Sequence, residues 1–482
     1  MMRVAVLTPL PPSRTGIAHY SSMLVPALGA RAFDSLDGYR RADFDHVVYQ
    51  LGNNPHHEWI YREALREPGV IVLHDLVLHH LIVEMTLARG DAEGYVAALE
   101  RSHGAAGAAW ARGRAAGLHS EMGNFLLPAS IDIAERSRGV IVHNHYAAAR
   151  LRSFGVTTPV HVVPHPYVPA EILGEAKDQR SPSEDPGDEA VTIGFFGFLT
   201  SAKRAEVVLE AFRIARQREP RLQLLIVGEP APNIDISTIL GEGVTATGYV
   251  DDDQFGAYYA KVDRLVNLRY PSAGETSGTL IRAFDAGKPV AVSNYAQFAE
   301  LPDDCVVKVP LGDGEVEALV DFFLRDFDVP AIARAQRQWL EANATLEKAV
   351  DGYRHALSCS GCEASHGGGR AAGELQLFPR LAVVDTHVDG DRLMLTLRND
   401  GDATLRTRSY GMPGYRLLVK LFDEGQVVQD RWLELPGDVA PGGTIDVSMR
   451  MERPASSARL YDALEGIPML EPEAWGEVTV VR

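Results

Sequence analysis

Unbroken apolar segments alternate with amphipathic segments over most of the chain. An apolar segment that shows no period-two alternation and lies between helical segments is typical of a strand buried in a parallel sheet with helices on both faces. A second series of the same kind starts near residue 191, after a polar stretch rich in Pro and Gly. The sequence therefore predicts an α/β protein with two doubly wound, Rossmann-like domains facing a cleft. The apolar segments of the first series lie at 2–10, 45–54, 69–80, 139–151 and 159–169.

The pattern changes beyond residue 381, where apolar residues recur at every second position. Leu393, Leu395 and Leu397 show this spacing, and Asp-Gly and Pro-Gly-Gly turns separate the segments that carry it. Short alternating strands with such turns are typical of an antiparallel sheet with one buried face. The sequence predicts an all-β, immunoglobulin-like sandwich of about 100 residues at this end of the chain.

These changes of pattern also predict where the domains begin and end. The segment between the apolar segments 69–80 and 139–151 is too long for one crossover connection between strands and has helical composition. It therefore predicts a helical insertion within the first domain. Polar segments rich in Pro or Gly separate the domains. The predicted parts are a first α/β domain at 1–170 with a helical insertion at about 82–136, a linker at 171–190, a second α/β domain with closing helices at 191–357, a connector at 358–377, and the sandwich at 378–482.

One strand–loop–helix–strand unit, at 263–293, has the composition of a ligand-binding loop. Its loop lies at the carboxyl end of the sheet, where open α/β sheets bind ligands. Gly274, Ser277 and Gly278 leave the backbone bare where the following helix begins, so that its free N–H groups and positive dipole end suit a phosphate. Glu275 adds a carboxylate. Such a loop suits a ligand that is part phosphate and part polyol, such as a nucleotide sugar, although it could also simply turn the chain.

Polar residues follow the predicted strands of the first domain at the same end. Because parallel strands place their carboxyl ends at one edge of a sheet, we expect these side chains to converge. His74 and Asp75 end a buried strand, where a histidine could bind a sugar hydroxyl or serve only the structure. The converging residues are Arg14, Asn53, His74, Asp75, Asn144 and His165.

The composition of the chain argues against several classes of protein function. The net charge of −18 argues against nucleic acid as a partner, since phosphate backbones are bound by positive charge. No apolar run is long enough to span a bilayer, and the short apolar start is typical of a buried strand rather than a signal peptide. Three cysteines in a long chain fit a reducing, cytoplasmic environment.

Several charged groups leave two interpretations open. Arg101, Arg112 and Arg114 of the insertion form a solvated face or contact an acceptor or membrane headgroups. The run Asp251–Asp253 resembles a metal motif, but acidic residues at a helix start complement the helix dipole. We therefore expect no metal requirement and no cofactor.

Two further groups near the end of the chain are ambiguous. The H-x3-C-x2-C-x3-H spacing could form a zinc site, or its residues could belong to a solvated connector. The sandwich aromatics could stack on sugar rings or fill its core. The residues are His355, Cys359, Cys362 and His366 for zinc, and Tyr415, Trp432 and Trp475 for the sandwich.

The two α/β halves together resemble the GT-B glycosyltransferases, and among them the retaining family 4 enzymes (glycosyl transferases group 1). The order and spacing of the motifs carry this resemblance, which covers residues 1 to about 357. The motifs are TGIAHY (15–20), LHD (73–75), GFLTSAKR (197–204), LLIVGE (224–229), TGYVDDDQ (247–254) and GETSG…AGKPVAVS (274–293).

The resemblance implies roles for individual residues. Lys203, in the loop that starts at Gly197, falls on the basic residue that contacts the donor diphosphate. Glu275 falls near a carboxylate that touches donor-sugar hydroxyls. The remaining matches are Thr276, Ser277 and Gly278 beside the phosphates, Val250 facing the base, and Gly16 and His74 lining the first domain's side of the cleft, with Asp75 next to His74.

Two positions depart from the family pattern. Phe198 stands where the family has an arginine before the lysine, so that Arg204 is expected to supply the second positive charge. The family's second glutamate, which holds the ribose, falls on Arg282 or Ala283, with Asp285 the nearest carboxylate. The identity of the nucleotide is therefore open.

The resemblance implies a transferase that moves a sugar from a UDP- or GDP-sugar to a glycan or lipid-linked acceptor with retention, in cell-surface polysaccharide synthesis. It implies a cytoplasmic enzyme that could touch the inner face of the membrane. Two alternatives stay open, namely a nucleotide-sugar epimerase of the same fold and a degenerate, non-catalytic glycan-binding subunit.

Overall fold

The computed structural model describes residues 2–13, 15–117, 121–167, 190–231, 240–250, 252–312, 314–359, 381–400, 415–436, 439–464, 467–468 and 476–480. The chain divides into two compact units, 1–81 with 132–367 and 82–131 with 368–482. Among the helices in the described ranges, none has the length and apolarity that crossing a membrane requires.

The first compact unit contains two parallel sheets, and the apolar segments of the first series form the first of them. Its strands are β1 (Val4–Leu7), β2 (Arg31–Phe33), β3 (His46–Leu51), β4 (Val70–Leu73), β5 (Gly139–Val142) and β6 (Val160–Val162). They pair in parallel in the order β2-β1-β3-β4-β5-β6. Every residue of β1, β4 and β5 is buried, as unbroken apolar runs predict.

The helices of this part of the chain follow the strands in alternation. Thr15 caps α1 and Asn144 caps α7. In both cases the side chain accepts a hydrogen bond from a free N–H group of the first turn. The helices are α1 (Gly16–Leu28), α2 (Glu58–Arg66), α3 (His79–Met85), α4 (Ala92–Ala115), α5 (Glu121–Leu126), α6 (Ile131–Arg136) and α7 (His145–Ser153), with 3-10 turns at Arg41–Asp43, Pro55–His57 and Leu87–Arg89.

Helices fill the described part of the segment 82–131, which belongs to the second compact unit. Its longest helix, α4, contains a kink at Gly104, whose φ of 64° lies outside the helical region. Arg101 and Arg112 are exposed, whereas Arg114 is partly buried over the ring of Tyr95. The exposed positions of the first two arginines agree with a solvated face.

The second sheet repeats the plan of the first. Its strands are β7 (Val191–Phe196), β8 (Leu222–Val227), β9 (Val244–Ala246), β10 (Arg264–Asn267), β11 (Val290–Ser293) and β12 (Val307–Val309), in the parallel order β12-β11-β10-β7-β8-β9. Its helices are α8 (Ala205–Arg218), α9 (Asp252–Ala260), α10 (Gly278–Asp285) and α11 (Glu315–Leu324), with 3-10 turns at Ser201–Lys203 and Ala296–Glu300.

Two closing helices follow, α12 (Val329–Asn343) and α13 (Leu346–Cys359). Leu340 of α12 packs into the core of the second sheet. Tyr353 and Leu357 of α13 pack instead into the core of the first sheet, together with Tyr20 and Val72. The chain therefore returns to the first sheet after completing the second, which the sequence pattern does not predict.

The C-terminal residues form antiparallel β-sheets, as the alternation predicts. Leu393, Leu395 and Leu397 are fully buried and face the core of this region. One sheet has the order β13-β14-β17, and the other has β16-β15-β18-β19 with β20 paired to β18. The strands are β13 (Leu381–Asp389), β14 (Arg392–Asn399), β15 (Tyr415–Asp423), β16 (Gln426–Glu434), β17 (Thr444–Arg450), β18 (Ser457–Leu464), β19 (Ile467–Pro468) and β20 (Gly476–Thr479).

The predicted fold class is confirmed by these elements. Two parallel six-stranded α/β sheets of GT-B-like organisation precede antiparallel sheets consistent with a β-sandwich. The exact domain boundaries stay predictions, and the linker and the connector lie largely outside the described residues.

Candidate active site

The carboxyl edges of the two sheets meet within the first compact unit. Val77 N–H donates a hydrogen bond to the carbonyl of Ala273 (3.1 Å). The Asn144 side-chain amide donates to the carbonyl of Gly274 (2.9 Å). A Cβ on Gly274 would lie only 2.7 Å from Cβ of Leu76, and its φ of 76° favours glycine. The loop that precedes α10 therefore lies directly against the ends of β4 and β5.

Helix α10 begins at the point predicted for phosphate binding. Ser277 caps it: its Oγ accepts from Leu280 N–H (3.3 Å) and donates to Asn267 Oδ1 (3.1 Å) at the end of β10. No heavy atom outside the immediate chain lies within 4 Å of the position that a Cβ on Gly278 would occupy. The first turn of α10 therefore borders open space, and its dipole places partial positive charge there.

Lys203 lies beside this helix start. Gly197 adopts a φ of 89°, and a Cβ built on it would lie 2.6 Å from Lys203 Nζ and 3.4 Å from Thr279 Cγ2. The ammonium group and the first turn of α10 therefore converge on Gly197. Lys203 is 6% exposed and donates to the carbonyl of Phe196 (2.5 Å). Burial, and then the charge of nearby Arg269, lower the pKa of Lys203 well below its usual value, while Glu275 opposes that shift.

Glu275 is held in place by three neighbours. Arg269 Nε lies 2.9 Å from its Oε1, and the Ser272 hydroxyl donates to its Oε2 (3.3 Å). The Gln297 side chain donates to its backbone carbonyl (2.8 Å). Arg269 thus pairs with Glu275 and lies near enough to Lys203 for its charge to act on that lysine. This arginine was not among the residues predicted from sequence, although its position just beyond β10, in the loop that leads to Gly274, could have signalled it.

Arg204 lies elsewhere, although it is the next residue in sequence to Lys203. It is 4% exposed, with its Nε 3.0 Å from Oε1 of Glu315 and its Nη2 2.5 Å from Oε2. Glu315 opens α11, so the guanidinium ties that helix to the start of α8. This placement favours a structural role. Contact of Arg204 with a diphosphate stays a prediction that the geometry does not favour.

His74 belongs to an aromatic cluster at the edge of the first sheet. Its ring centroid lies 4.7 Å from that of Tyr20 and 4.9 Å from that of His143, and His165 lies 4.9 Å from Tyr20. Burial, with a smaller contribution from the neighbouring histidines, lowers the pKa of His74 well below its usual value. Burial also lowers the pKa values of His143 and His165, to about 4 and about 3. The cluster is therefore uncharged at neutral pH.

Asp75 projects from the first sheet toward the loop of the second. Burial, and then the charge of Glu275, raise the pKa of Asp75 to about 7, although the Asn53 N–H that it accepts (2.8 Å) lowers it. Two carboxylates, one from each sheet, thus lie close enough to influence each other. Carboxylates of this kind can accept hydrogen bonds from sugar hydroxyls.

The raised pKa of Asp75 predicts a pH dependence of stability. Because the folded state binds the Asp75 proton more tightly than the unfolded chain, the contribution of Asp75 to the free energy of unfolding falls as pH rises from about 4 to about 7, by up to about 1.4 kcal/mol per pH unit. The buried histidines, whose pKa values are lowered, contribute in the opposite sense. Asp75→Asn should remove this decline, and the exposed control Asp303→Asn should keep it. Urea unfolding across that range measures the effect, and an unchanged slope in Asp75→Asn would contradict it.

Three other predicted residues lie around these groups. Gly16 begins α1, and no heavy atom outside the immediate chain lies within 4 Å of the position that a Cβ on it would occupy. Thr276 is partly buried in the loop beside Glu275. Val250 follows Tyr249, which is 55% exposed, and packs partly against the second sheet's core. Their contacts with a ligand stay predictions.

The described residues give little support to the alternative metal sites or to the sandwich aromatics as a sugar-binding site. Cys359 Sγ lies 3.8 Å from His355 Nε2, but Cys362 and His366 lie outside the described residues. Asp251 and Trp475 also lie outside them. Among the residues that the structure describes, no group of three His, Cys, Asp or Glu side chains could hold a metal ion. Arg14, and the side chains of Tyr415 and Trp432, are likewise not described.

The geometry thus defines a GT-B-like protein in which an open helix start and carboxylates lie at the junction of its two sheets. Residues 190–326 match the family described as Glycosyl transferases group 1. The matched segment includes Lys203, Arg269, Glu275 and the first turn of α10. No curated protein matches the sequence.

Solved structures are similar over most of the chain. Sucrose-phosphate synthase from Thermosynechococcus elongatus has a TM-score of 0.52 and 16% identity, covering 74% of this chain and 99% of that one. Alr3699/HepE from Anabaena, in complex with UDP and glucose, has a TM-score of 0.47 and 14% identity, covering 74% of this chain and 100% of that one. The first similarity supports the fold assignment.

Proposed function

We propose that this protein is a glycosyltransferase that moves a sugar from a nucleoside-diphosphate sugar, carrying UDP or GDP, to a glycan or lipid-linked acceptor. One observation carries the proposal: Lys203 Nζ and the first turn of α10 converge on Gly197, which lacks a side chain between them. The family match of residues 190–326 supports the same activity.

The diphosphate binds between Lys203 and the start of α10. The backbone N–H groups of the first helical turn and the lysine offer fixed positive charge where negative charge develops on the leaving group. The charge of Arg269 acts on Lys203, and Arg269 takes the part that the sequence pattern assigned to Arg204. A bound diphosphate also offsets the charge of Arg269, one of the causes that lower the pKa of Lys203.

The transferred sugar lies toward Glu275 and the first sheet. Glu275 is oriented by Arg269 and Ser272, so its carboxylate is preorganised to accept hydrogen bonds from sugar hydroxyls. His74 and Asp75 approach from the other sheet. The loop contacts at Gly274 bring the two sets of groups together.

Transfer proceeds with retention of configuration. Glu275 is a poor nucleophile because it is paired with Arg269, and Asp75 binds a proton up to a pH of about 7. The bond from the sugar C1 to the phosphate oxygen breaks, and the bond from C1 to the acceptor oxygen forms on the same face. The acceptor hydroxyl proton moves to the leaving phosphate oxygen. This same-face route differs from the double displacement of retaining glycosidases, which passes through a covalent sugar–enzyme bond.

The proposed acceptor is a glycan or a lipid-linked molecule. The resemblance to family 4 enzymes favours cell-surface polysaccharide synthesis in the cytoplasm, with contact at the inner membrane face. No cofactor or metal is part of the proposal.

Incubation with UDP-, GDP- and ADP-sugars, with and without a panel of glycan and lipid-linked acceptors, tests the proposed activity. We expect nucleotide release that depends on an acceptor. Interconversion of the free donor would instead indicate an epimerase. Binding without turnover across the panel would indicate a non-catalytic glycan-binding subunit, which the exposed Phe198 at the usual arginine position would then explain.

A further inference from the structure

A buried hydrogen-bond chain links α13 to His74. The side-chain amide of Gln50, on β3, donates to the hydroxyl of Tyr353 (3.2 Å). The carbonyl oxygen of the same amide lies 2.6 Å from Nε2 of His74. Gln50 and Tyr353 are fully buried, and His74 is 8% exposed. The amide is therefore shielded from water at both of its ends.

The direction of these bonds determines where His74 carries its proton. Because the Gln50 nitrogen donates to Tyr353, its oxygen faces His74 and can only accept. His74 Nε2 must then be the protonated nitrogen. A neutral imidazole holds one proton, so Nδ1 is left as an acceptor.

His74 stays neutral because of its surroundings. The ring is buried, and three other histidines, His143, His165 and His57, lie near enough to disfavour its charged form. Gln50 carries no negative charge, so it stabilises an imidazolium less than a carboxylate at the same position would.

Nδ1 is available for a ligand. Within the described residues, Gln50 is the one side-chain hydrogen-bond partner of His74. His74 is 8% exposed, and the next residue, Asp75, lies near Glu275 of the other sheet. A group that donates a hydrogen bond, such as a sugar hydroxyl, would complete the bonding of this ring.

We propose that Gln50 and Tyr353 are positioning residues that hold His74 as the Nε2–H tautomer, so that Nδ1 accepts a hydrogen bond from a hydroxyl of the transferred sugar. The ligand part of this inference rests on the proposed function, whereas the tautomer does not. Through these hydrogen bonds α13, which follows the second sheet in sequence, helps to position His74 on the first sheet.

Nitrogen-15 NMR of the free protein with labelled histidines tests the tautomer. The His74 signal is assigned by its loss in His74→Asn. We expect a protonated Nε2 and an unprotonated Nδ1 at neutral pH. A protonated Nδ1, or averaging between the two tautomers, would overturn the inference. The result does not depend on transferase activity, so it separates failure of this inference from failure of the proposed function.

Two matched variants test the part played by Tyr353. Tyr20 and Tyr353 share a hydrogen bond between their hydroxyls (2.7 Å), so Tyr20→Phe and Tyr353→Phe both lose it, but only Tyr353→Phe loses the contact with Gln50. We expect tautomer averaging and about a fivefold to tenfold lower kcat in Tyr353→Phe only. Equal behaviour of the two variants would show a merely structural role.

Addition of ligands tests the role of Nδ1. We expect the Nδ1 resonance to shift when the nucleotide sugar that supports transfer is added, and not when its nucleoside diphosphate alone is added. A shift with the diphosphate alone, or no sugar-dependent shift with any UDP-, GDP- or ADP-sugar, would overturn the ligand part of the proposal.

Discussion

Lys203→Ala is expected to lower kcat/KM for the donor about 100-fold or more while leaving the fold intact. Lys203 is the cation that faces the first turn of α10 across Gly197. Removal of one preorganised group that stabilises developing charge has an effect of about this size. The melting temperature should fall, because the variant leaves a small cavity and loses the hydrogen bond to the Phe196 carbonyl, so the kinetics are measured well below the melting transition. Steady-state kinetics with the active donor and a thermal melt provide the two measurements.

A partly exposed lysine outside the candidate site provides the control for this result. Lys308 forms an ion pair with Asp303 (2.7 Å) on the last strand of the second sheet, and Lys308→Ala should keep kcat/KM within about twofold of wild type. If Lys203→Ala retained wild-type kinetics while remaining folded, the lysine would have no part in the chemistry.

Arg204→Ala should have the opposite phenotype, a large loss of stability with little change in the chemistry. It would leave the carboxylate of Glu315, 1% exposed, buried without its partner. Breaking a buried ion pair in this way costs about 3–5 kcal/mol. Urea unfolding measures the loss, and kcat/KM measured well below the melting transition should stay within about threefold of wild type.

The double variant Arg204→Met/Glu315→Leu sharpens the test. It removes both charges and fills much of the same volume, so it should recover most of the stability that Arg204→Ala loses. A loss of donor binding in this folded double variant would show that Arg204 does contact the diphosphate, as the sequence pattern predicted.

The fold was predictable because each strand has its own local signal. The unbroken apolar runs of β4 and β5 and the alternation of Leu393, Leu395 and Leu397 are properties of adjacent residues, and the structure confirms the sheets that they predict. The glycine loop before α10 is local in the same sense, since it lies within a single βαβ unit.

The supporting contacts of the site could not be predicted because they join distant residues. Gln297 binds the Glu275 backbone from 22 positions away, and Tyr353 contacts Gln50 across 303 positions. Lys203 and Arg204 are adjacent in sequence, which suggested a shared role. Their side chains lie in different places, Lys203 beside Gly197 and Arg204 in an ion pair with Glu315. Arg269 was missed because its proximity to Lys203 depends on how the loops after β7 and β10 pack.

Calorimetric titration with UDP, GDP and ADP, and with the three corresponding nucleosides, tests most directly whether this protein binds a nucleoside diphosphate at the start of α10. The account predicts that one diphosphate binds, that its nucleoside binds at least about 100-fold more weakly, and that Lys203→Ala reduces diphosphate binding toward the nucleoside level. Absence of binding by every diphosphate, or equal binding by wild type and Lys203→Ala, would contradict it.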